Sequence, residues 1–334
     1  MNAAETVPAP GQHPSEILLG AQAGAVSLPV CDHYSGVEVR MRKSLALQAE
    51  MAQEFGACVF DVTLDCEDGA PVGGEAEHAA LVAELAASAA PGLRVAARVH
   101  PVDHPAFQRD VATIVGQAGE RLCHLMIPKV ESVADVERAV QCVDAVERLS
   151  LPLHVLIESP LAVRNAFHIA AHPRVQSLSF GLMDFVSAHA GAIPADGMGV
   201  VGQFSHPLVV RAKLEIASAA HAFGKVPSHC VVTEFSDGQA MLHAAQQAAR
   251  LLGYTRMWSI HPSQIRPILE AFAPSEKDID TASAILSAAN RQNWAPISHA
   301  GQLHDRASYR HFWQVLQRAH STGRPLPAEV ALWF

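Results

Sequence analysis

Residues 151–160 read Leu-Pro-Leu-His-Val-Leu-Ile-Glu-Ser-Pro, and residues 177–185 read Ser-Leu-Ser-Phe-Gly-Leu-Met-Asp-Phe. Each is a short apolar run that ends at an acid, Glu158 or Asp184. This pattern is typical of a buried parallel strand whose last side chain enters an active site. The two acids are 26 positions apart, which leaves room for one helix between two strands. In an αβ barrel, neighbouring strand ends would bring both carboxylates to one point, where they suit a divalent cation such as Mg²⁺.

The same alternation of strand-like and helix-like segments extends along most of the chain. Apolar runs predict eight strands, at residues 25–30, 58–64, 94–99, 122–128, 153–158, 177–183, 228–232 and 257–260. Helical periodicity lies between them, for example at 39–55 and 238–252. Eight βα units predict an α/β protein with a (β/α)₈ TIM barrel. A doubly wound open sheet is the structural alternative.

The two ends of the chain depart from this pattern. Residues 1–16 are rich in Ala, Pro and Gly and are predicted to be a flexible segment. The barrel domain is predicted over 17–275. Strand patterns stop after Pro274, and helical patterns at 277–290 and 309–319 predict a C-terminal helical lid or oligomerisation arm over 276–334.

Composition narrows the classes of protein and partner. The chain has 334 residues, of which 49% are hydrophobic, so it can bury a large core. A net charge of −9 argues against a general nucleic-acid surface. The N-terminus has no signal-peptide pattern and no apolar run is long enough to cross a bilayer, which predicts no membrane association. The six cysteines are scattered without a CxxC pair, as expected in a reducing, cytoplasmic location.

Four acids close the second predicted strand, in the run Asp-Val-Thr-Leu-Asp-Cys-Glu-Asp-Gly-Ala that begins at Asp61. Carboxylates at this density repel each other unless a cation or an arginine offsets them. We assign Glu67 and Asp68 to an outer layer that holds the waters of a bound metal. For Asp61 and Asp65, this interpretation and a solvated loop remain open.

Basic residues lie at the end of the third predicted strand and just after the fourth. Arg98 can hold a carboxylate or stabilise an oxyanion, and an ion pair to one of the acids nearby is a compatible alternative. His100 is a candidate polar neighbour of the substrate, with a structural role as the alternative. Lys129 and Glu131 are predicted to form a salt bridge at the barrel mouth. A Schiff-base role for Lys129 is disfavoured because a metal would already activate a carbonyl.

The first helix begins with a basic cluster. Arg40, Arg42 and Lys43 follow the first predicted strand, and a basic helix start near a barrel mouth can hold phosphate groups. A solvated helix face is the more common explanation. All three residues are candidates for cofactor binding.

Several of these segments together resemble a known family, the citrate lyase β-subunit/malyl-CoA lyase group of the HpcH/HpaI aldolases. The order and spacing of the matching segments hold from about residue 25 to residue 290. The segments are Phe60–Ala70, Arg98–Pro101, Pro128–Lys129, Ile157–Ser159, Gly181–Asp184, Leu252–Tyr254, Ile260–Gln264 and Phe272–Ser275.

The resemblance implies a (β/α)₈ barrel in which Glu158 and Asp184 hold Mg²⁺ and Arg98 faces a thioester or enolate oxygen. It implies a lyase that cleaves or forms a carbon–carbon bond between a 2-oxo acid and an acyl thioester. Malyl-CoA and a citryl thioester are examples, with coenzyme A as part of the substrate. An acyl-carrier protein could hold the acyl group in place of coenzyme A.

The run Ala-Gly-Gln-Leu-His-Asp at 300–305 resembles the family's C-terminal lid segment. By position, the resemblance implies that Asp305 is a catalytic acid or base delivered from a neighbouring subunit, and hence a homotrimer or homohexamer. A helix N-cap is the alternative role for Asp305.

Some segments differ from the family pattern. His100 replaces the usual Asn, and the strand-one segment reads Leu-Pro-Val-Cys-Asp-His-Tyr-Ser-Gly over 28–36. These differences cluster on the predicted substrate side. Two other functions therefore stay open: a metal-dependent aldolase that acts on a free 2-oxo acid without coenzyme A, and a non-catalytic assembly subunit.

Overall fold

The computed structural model of the chain describes residues 13–20, 27–146 and 150–334. Its contacts divide the chain into two units. One unit is Leu28–Phe272, and the other combines Ala273–Phe334 with the described residues before Leu28. Nowhere in the described ranges is there a helix with the length and apolar character needed to span a bilayer.

The first unit is a closed barrel. Within the described residues, eight parallel strands pair in chain order, and β8 pairs with β1 to close the ring. The strands are β1 Cys31–Ser35, β2 Phe60–Asp65, β3 Val95–Arg98, β4 Leu122–Ile127, β5 Leu153–Ile157, β6 Val175–Phe180, β7 Val226–His229 and β8 Arg256–Ser259. The predicted (β/α)₈ TIM barrel is confirmed, and the open-sheet alternative is wrong.

Helices surround the barrel and bury their apolar faces against it. In this unit they are α2 Glu38–Phe55, α3 Glu75–Ser88, α4 Phe107–Ala118, α5 Val133–Val146, α6 Pro160–Ala171, α7 Leu182–Ser187, α8 Pro207–Ala222, α9 Gly238–Leu251 and α10 Ile265–Phe272. Local sequence explains where α6 begins. Ser159 caps α6 and Pro160 occupies its first turn, where a missing N–H costs nothing.

The prediction of the first strand was wrong. Its predicted range, 25–30, starts outside the described residues, and 27–30 form no strand. The strand lies instead in the polar sequence Cys-Asp-His-Tyr-Ser of β1. This sequence can be buried because the Asp32 carboxylate lies 2.8 Å from the guanidinium of buried Arg256 inside the barrel.

The part of the barrel interior around Arg256 is polar. The Arg256 guanidinium bridges Asp32 and Asp61, and Arg94 approaches Asp61 from the other side at 2.5 Å. Asp61 is therefore a buried ion-pair partner within β2, which is neither the outer layer of a metal site nor the solvated loop that the sequence left open. Beside this network the rings of His124 and His154 stack with centres 3.5 Å apart. Burial lowers the pKa of His154 to about 3, so the ring is neutral.

The second unit has its own core. Its elements are α1 Pro14–Leu19, α11 Glu276–Arg291, β9 Ile297–His299, β10 Gln302–His304, α12 Arg306–Ser321 and α13 Ala328–Ala331. Buried side chains such as Leu18, Leu286 and Trp313 pack together here. The two predicted tail helices are present as α11 and α12. The predicted roles of this unit as lid and oligomerisation arm stay predictions.

At one end of the chain a prediction needs correction, and at the other end most of the predicted segment cannot be compared. No strand was predicted beyond Pro274, yet β9 and β10 form an antiparallel hairpin. Its turn, Ala300-Gly301, has two positive φ angles of 50° and 78°, and such turns match the twist of a two-stranded hairpin. At the other end, residues 1–12 of the predicted flexible segment 1–16 lie outside the described residues, whereas α1 begins at Pro14.

One buried lysine makes stability depend on pH. Lys213 on α8 is fully buried and donates to Gln203 at 3.0 Å, with its ammonium 4.1 Å from the Phe204 ring centre. Burial lowers the pKa of Lys213 to about 8, below the ordinary value of 10.5. Because the folded chain releases this proton first, stability rises as pH rises from about 8 to about 10.5.

We therefore expect Lys213→Met to be more stable than the wild type at pH 7.5. The advantage should shrink by up to about 3 kcal/mol as the pH rises through that window. Urea denaturation of both proteins at pH 7.5, 9 and 10 measures it. A constant difference between the two proteins across these pH values would contradict the buried-ammonium explanation.

Candidate active site

The two predicted metal ligands lie at the carboxyl ends of β5 and β6. Glu158 directly follows β5, as predicted. Asp184 does not end a strand, because β6 stops at Phe180 and Asp184 lies in the first turn of α7. Gly181 stands between strand and helix, and a Cβ at this position would collide with the Glu158 carboxylate. The turn therefore needs glycine to let β6 approach Glu158.

Glu158 is buried, with 6% of its surface exposed. Its Oε1 accepts the backbone N–H of Lys129 at 2.6 Å. Burial, together with the negative charge of Asp184, raises the pKa of Glu158 to about 8. The local environment therefore lacks the positive charge that a carboxylate at this position requires.

The acids of the β2 end form the other side of the site. Asp65 accepts two hydrogen bonds from Arg98, both 2.6 Å, and two more from the backbone N–H groups of Glu67 and Gly69. Glu67 lies 3.1 Å from the Arg98 Nη1. The ion-pair alternative for Arg98 is thus confirmed, and Asp65 is the structural support that fixes it.

Lys129 connects the two sides. Its ammonium donates to Glu67 at 2.6 Å and lies 3.8 Å from Asp68. The predicted salt bridge between Lys129 and Glu131 was wrong, since Glu131 instead accepts a hydrogen bond from Ser159. The Lys129 backbone has a φ of 52°. A left-handed conformation at a residue other than glycine costs roughly 1–3 kcal/mol and is often found at functional sites.

The structure thus brings together five of the predicted site residues: Glu67, Asp68, Arg98, Glu158 and Asp184. Burial and the charge of Glu67 raise the pKa of Asp68, and Asp184 adds to this effect. Among the described residues, no donor bonds to the Asp184 carboxylate or to the Glu158 Oε2. Oxygen ligands with free lone pairs and too little positive charge fit a hard divalent cation. The donor set is therefore compatible with Mg²⁺.

A cavity of about 690 Å³ adjoins these residues through Arg98 and Asp68. Its walls come from β1, β8 and the start of α2. Tyr34 and Trp258 stack there with ring centres 4.4 Å apart, and the Arg98 guanidinium lies 5.6 Å from the Tyr34 ring centre. The other lining side chains include Arg40, Lys43, Phe235 and His261. The cavity thus offers aromatic and cationic surface beside the acids.

The three basic residues of α2 do not act as one group. Arg40 and Lys43 line the cavity, one helical turn apart. Arg42 lies on a different part of the helix and pairs with Glu38 at 2.9 Å. The structure places only Arg40 and Lys43 where a ligand in this cavity could contact them.

The remaining candidates have structural partners. His100 bonds to the buried Asp110 of α4 through its backbone N–H and its Nδ1. His261, which also lines the cavity, caps a short turn in which Gln264 accepts two backbone N–H groups. Asp305, in the second unit, caps α12 through the N–H groups of Ala307 and Ser308. Its N-cap role is confirmed, and its catalytic role stays a prediction.

Sequence reasoning missed two features of this site. The aromatic wall was not predicted because Tyr34 falls in the strand that was misplaced. The backbone contact from Lys129 to Glu158 was also missed, since it depends on a left-handed φ that the sequence does not indicate. The only available signal was the position of Lys129 immediately after a strand, where barrel active sites are built.

Comparison with known proteins identifies the relatives of the chain. The sequence profile of the HpcH/HpaI aldolase/citrate lyase family matches residues 44–262. This range includes β2–β8 and the four acids Glu67, Asp68, Glu158 and Asp184, which we call the acid cluster. The chain belongs to this family. A citrate lyase structure from Burkholderia xenovorans LB400 is 47% identical, covers 97% of this chain and 99% of its own, and superposes with a TM-score of 0.79.

Two further proteins extend the comparison. The L-malyl-CoA/β-methylmalyl-CoA lyase of Cereibacter sphaeroides is 29% identical over 80% of this chain and 90% of its own length. The CitE protein of Mycobacterium tuberculosis, solved with magnesium, acetoacetate and coenzyme A, is 23% identical, covers 88% of this chain and 98% of its own, and has a TM-score of 0.65, which shows the shared fold. The prediction of a carbon–carbon lyase of the citrate lyase β-subunit/malyl-CoA lyase type is confirmed.

Proposed function

We propose that this protein is a Mg²⁺-dependent lyase that cleaves or forms a 3-hydroxyacyl-CoA thioester, yielding an acyl thioester and a 2-oxo acid. The observation that carries the proposal is the Glu158 Oε2 and the Asp184 carboxylate, which accept no hydrogen bond from the described residues. They lie near an arginine fixed by Asp65, which also lines a cavity with basic side chains. The relatives named as malyl-CoA and citrate lyases support the same reaction class.

Glu158 and Asp184 would hold the metal, while Glu67 and Asp68 would accept hydrogen bonds from its waters. When bound, Mg²⁺ supplies Lewis acidity to the carbonyl and carboxylate of the oxo acid. Arg98 has five N–H groups, and three of its nitrogens already contact Asp65 and Glu67. Its remaining N–H groups are available to stabilise negative charge on a thioester enolate, from a position that the two acids hold fixed.

The cavity is the proposed site for the coenzyme A part of the substrate. Arg40 and Lys43 offer positive charge for phosphate groups, and the exposed side chains of Phe235 and Ile260 offer apolar surface. We expect the double variant Arg40→Ser/Lys43→Ser to raise KM for the thioester by about 10-fold or more with little change in kcat.

Arg42→Ser is the matched control, since Arg42 lies on the same helix but outside the cavity lining. Steady-state kinetics of both variants at low salt measures the difference. Equal KM values for the double variant and the Arg42 control would contradict the proposal that coenzyme A binds in this cavity.

Asp305 is the proposed acid or base that moves the proton of the acyl group. Asp305→Asn keeps an N-cap acceptor, so α12 should retain its stability, whereas Asp305→Ala should lose about 1 kcal/mol. If Asp305 is catalytic, both variants should lose about 100-fold or more in kcat. If Asp305→Asn is fully active and only Asp305→Ala loses activity, the loss comes from the destabilised helix. Asp305 would then act only as the N-cap of α12.

The proposed assembly is a homotrimer or homohexamer in the cytoplasm, in which Asp305 serves a neighbouring subunit. Mixing inactive Asp305→Asn with inactive Glu158→Gln tests this, because a mixed oligomer would contain some intact sites. Activity recovered on mixing supports sharing between subunits, and no recovery after verified subunit exchange contradicts it.

The substrate class can be tested directly by incubating the protein with malyl-CoA or citryl-CoA, with and without Mg²⁺. Mass spectrometry would detect acetyl-CoA and glyoxylate or oxaloacetate. Mg²⁺-dependent cleavage is the expected result. Turnover of the free hydroxy acids alone would favour the aldolase without coenzyme A. No turnover of free acid, coenzyme A or carrier-bound substrates would favour the non-catalytic assembly subunit.

A further inference from the structure

Lys129 has an unusual position among the site residues, because it contacts both sides of the acid cluster with two different groups. Its backbone N–H donates to the Glu158 Oε1 at 2.6 Å, and its ammonium donates to the Glu67 Oε1 at the same distance. Direct chemistry by Lys129 is not needed for the proposed reaction. Its contacts therefore call for another explanation.

We propose that Lys129 is a positioning residue with two separable roles, an inference that rests on the proposed function. Its left-handed backbone orients Glu158 as a metal ligand. Its ammonium offsets the negative charge of the outer acids, so that an anionic 2-oxo acid can bind beside the metal.

The backbone role follows from geometry. With φ at 52°, Lys129 turns its N–H back towards the end of β5, where the buried Glu158 carboxylate accepts it. A backbone donor fixes one oxygen of Glu158 and leaves Oε2 without a hydrogen bond from the described residues. A ligand held in this way is ready to coordinate a metal, so the residue at 129 must tolerate a left-handed conformation.

The ammonium role follows from charge. Glu67, Asp68, Glu158 and Asp184 carry four negative charges when ionised, and Arg98 is largely committed to Asp65. A divalent cation would leave this group still negative, which would repel an oxo acid. Lys129 reduces that repulsion, and its pKa is raised to about 12 by the hydrogen bond to Glu67 against the opposing effect of burial, so it is charged at neutral pH. Its side chain is 40% exposed, so it faces the open side of the cluster.

Three variants separate the two roles. Lys129→Gly and Lys129→Val both remove the ammonium, but only glycine accepts a left-handed φ without strain. Lys129→Arg retains the charge. Calorimetric titrations with Mg²⁺ alone, and then with glyoxylate in the presence of saturating Mg²⁺, measure the two binding steps without relying on turnover.

We expect Lys129→Gly to bind Mg²⁺ within about threefold of the wild type and glyoxylate about 10-fold more weakly. Lys129→Val should in addition bind Mg²⁺ about 10-fold more weakly, and Lys129→Arg should restore most of the glyoxylate affinity. Circular dichroism melts check that each variant is folded. If Lys129→Val does not fold, Lys129→Thr replaces it, since a β-branched side chain is more strained than lysine at this φ.

The inference is overturned if Lys129→Gly binds glyoxylate like the wild type, or if the glycine and valine variants lose Mg²⁺ affinity equally. These outcomes differ from failure of the proposed function itself. In that case the wild type would not bind Mg²⁺, or Glu158→Gln would bind it as well as the wild type does.

Discussion

Glu158→Gln should reduce kcat/KM for a 3-hydroxyacyl-CoA substrate by about 10³-fold or more. Glutamine has nearly the same shape and can still accept the Lys129 N–H, so the backbone around β5 should keep its conformation. What it lacks is the negative charge on the free Oε2. The loss of one of two anionic ligands removes several kcal/mol of charge stabilisation from the reaction.

The variant should also be at least as stable as the wild type. Burial and Asp184 raise the pKa of Glu158, so the ionised carboxylate is under electrostatic strain when no cation is bound, and a neutral amide relieves that strain. Glu137→Gln, at an exposed position on α5, is the control for a loss of one acid. Full activity in Glu158→Gln, or an activity loss that is explained by unfolding in a thermal melt, would contradict the metal-ligand assignment.

The second large effect is expected at Arg98, which supports both the fold and the reaction. Arg98→Met should lower kcat by about 10²–10³-fold, the usual cost of removing a fixed donor from a developing oxyanion. It should also destabilise the protein by about 3–5 kcal/mol, because Asp65 is left as a buried charge without its partner. Chemical denaturation and steady-state kinetics measure the two effects separately.

A double variant distinguishes the two roles of Arg98. Arg98→Met/Asp65→Asn replaces the buried charge on Asp65 with an amide, so much of the lost stability should return. Activity should not return, since the donor to the substrate is still missing. If stability and activity recover together, Arg98 acts only by supporting the fold, and the oxyanion role would be wrong.

Sequence patterns predicted the barrel because strand-like segments alternate with helical periodicity, and β3, β4 and β5 are mainly apolar. β5 is buried along its whole length, and Leu153–Ile157 is apolar except at His154. β6 has a weaker apolar signal, since Gln176, Ser177 and Ser179 interrupt it. β1 lacks an apolar signal, because its inward side chains Asp32 and Tyr34 face a polar interior organised by Arg256. A polar strand of this sort becomes recognisable only when its ion-pair partner, more than 200 residues away, is known.

The candidate site was predictable to the extent that it depends on strand ends. Glu67, Asp68, Arg98 and Glu158 all lie at or just beyond strand ends, and the barrel topology brings these ends to one edge. The pairing of Lys129 with Glu67 was not predictable, because the side chain crosses from the end of β4 to the end of β2. The sequence also did not predict that Arg42 is separated from Arg40 and Lys43, because this depends on which face of α2 packs against the barrel.

The most direct test of the central claim is one calorimetric series on the wild-type protein. Mg²⁺ is titrated first, then glyoxylate, pyruvate or oxaloacetate, and finally acetyl-CoA. We predict that an oxo acid binds only after Mg²⁺ and that acetyl-CoA then binds to the loaded protein. If Mg²⁺ does not bind, or if an oxo acid binds equally well in EDTA, the proposed Mg²⁺-dependent thioester lyase would be contradicted.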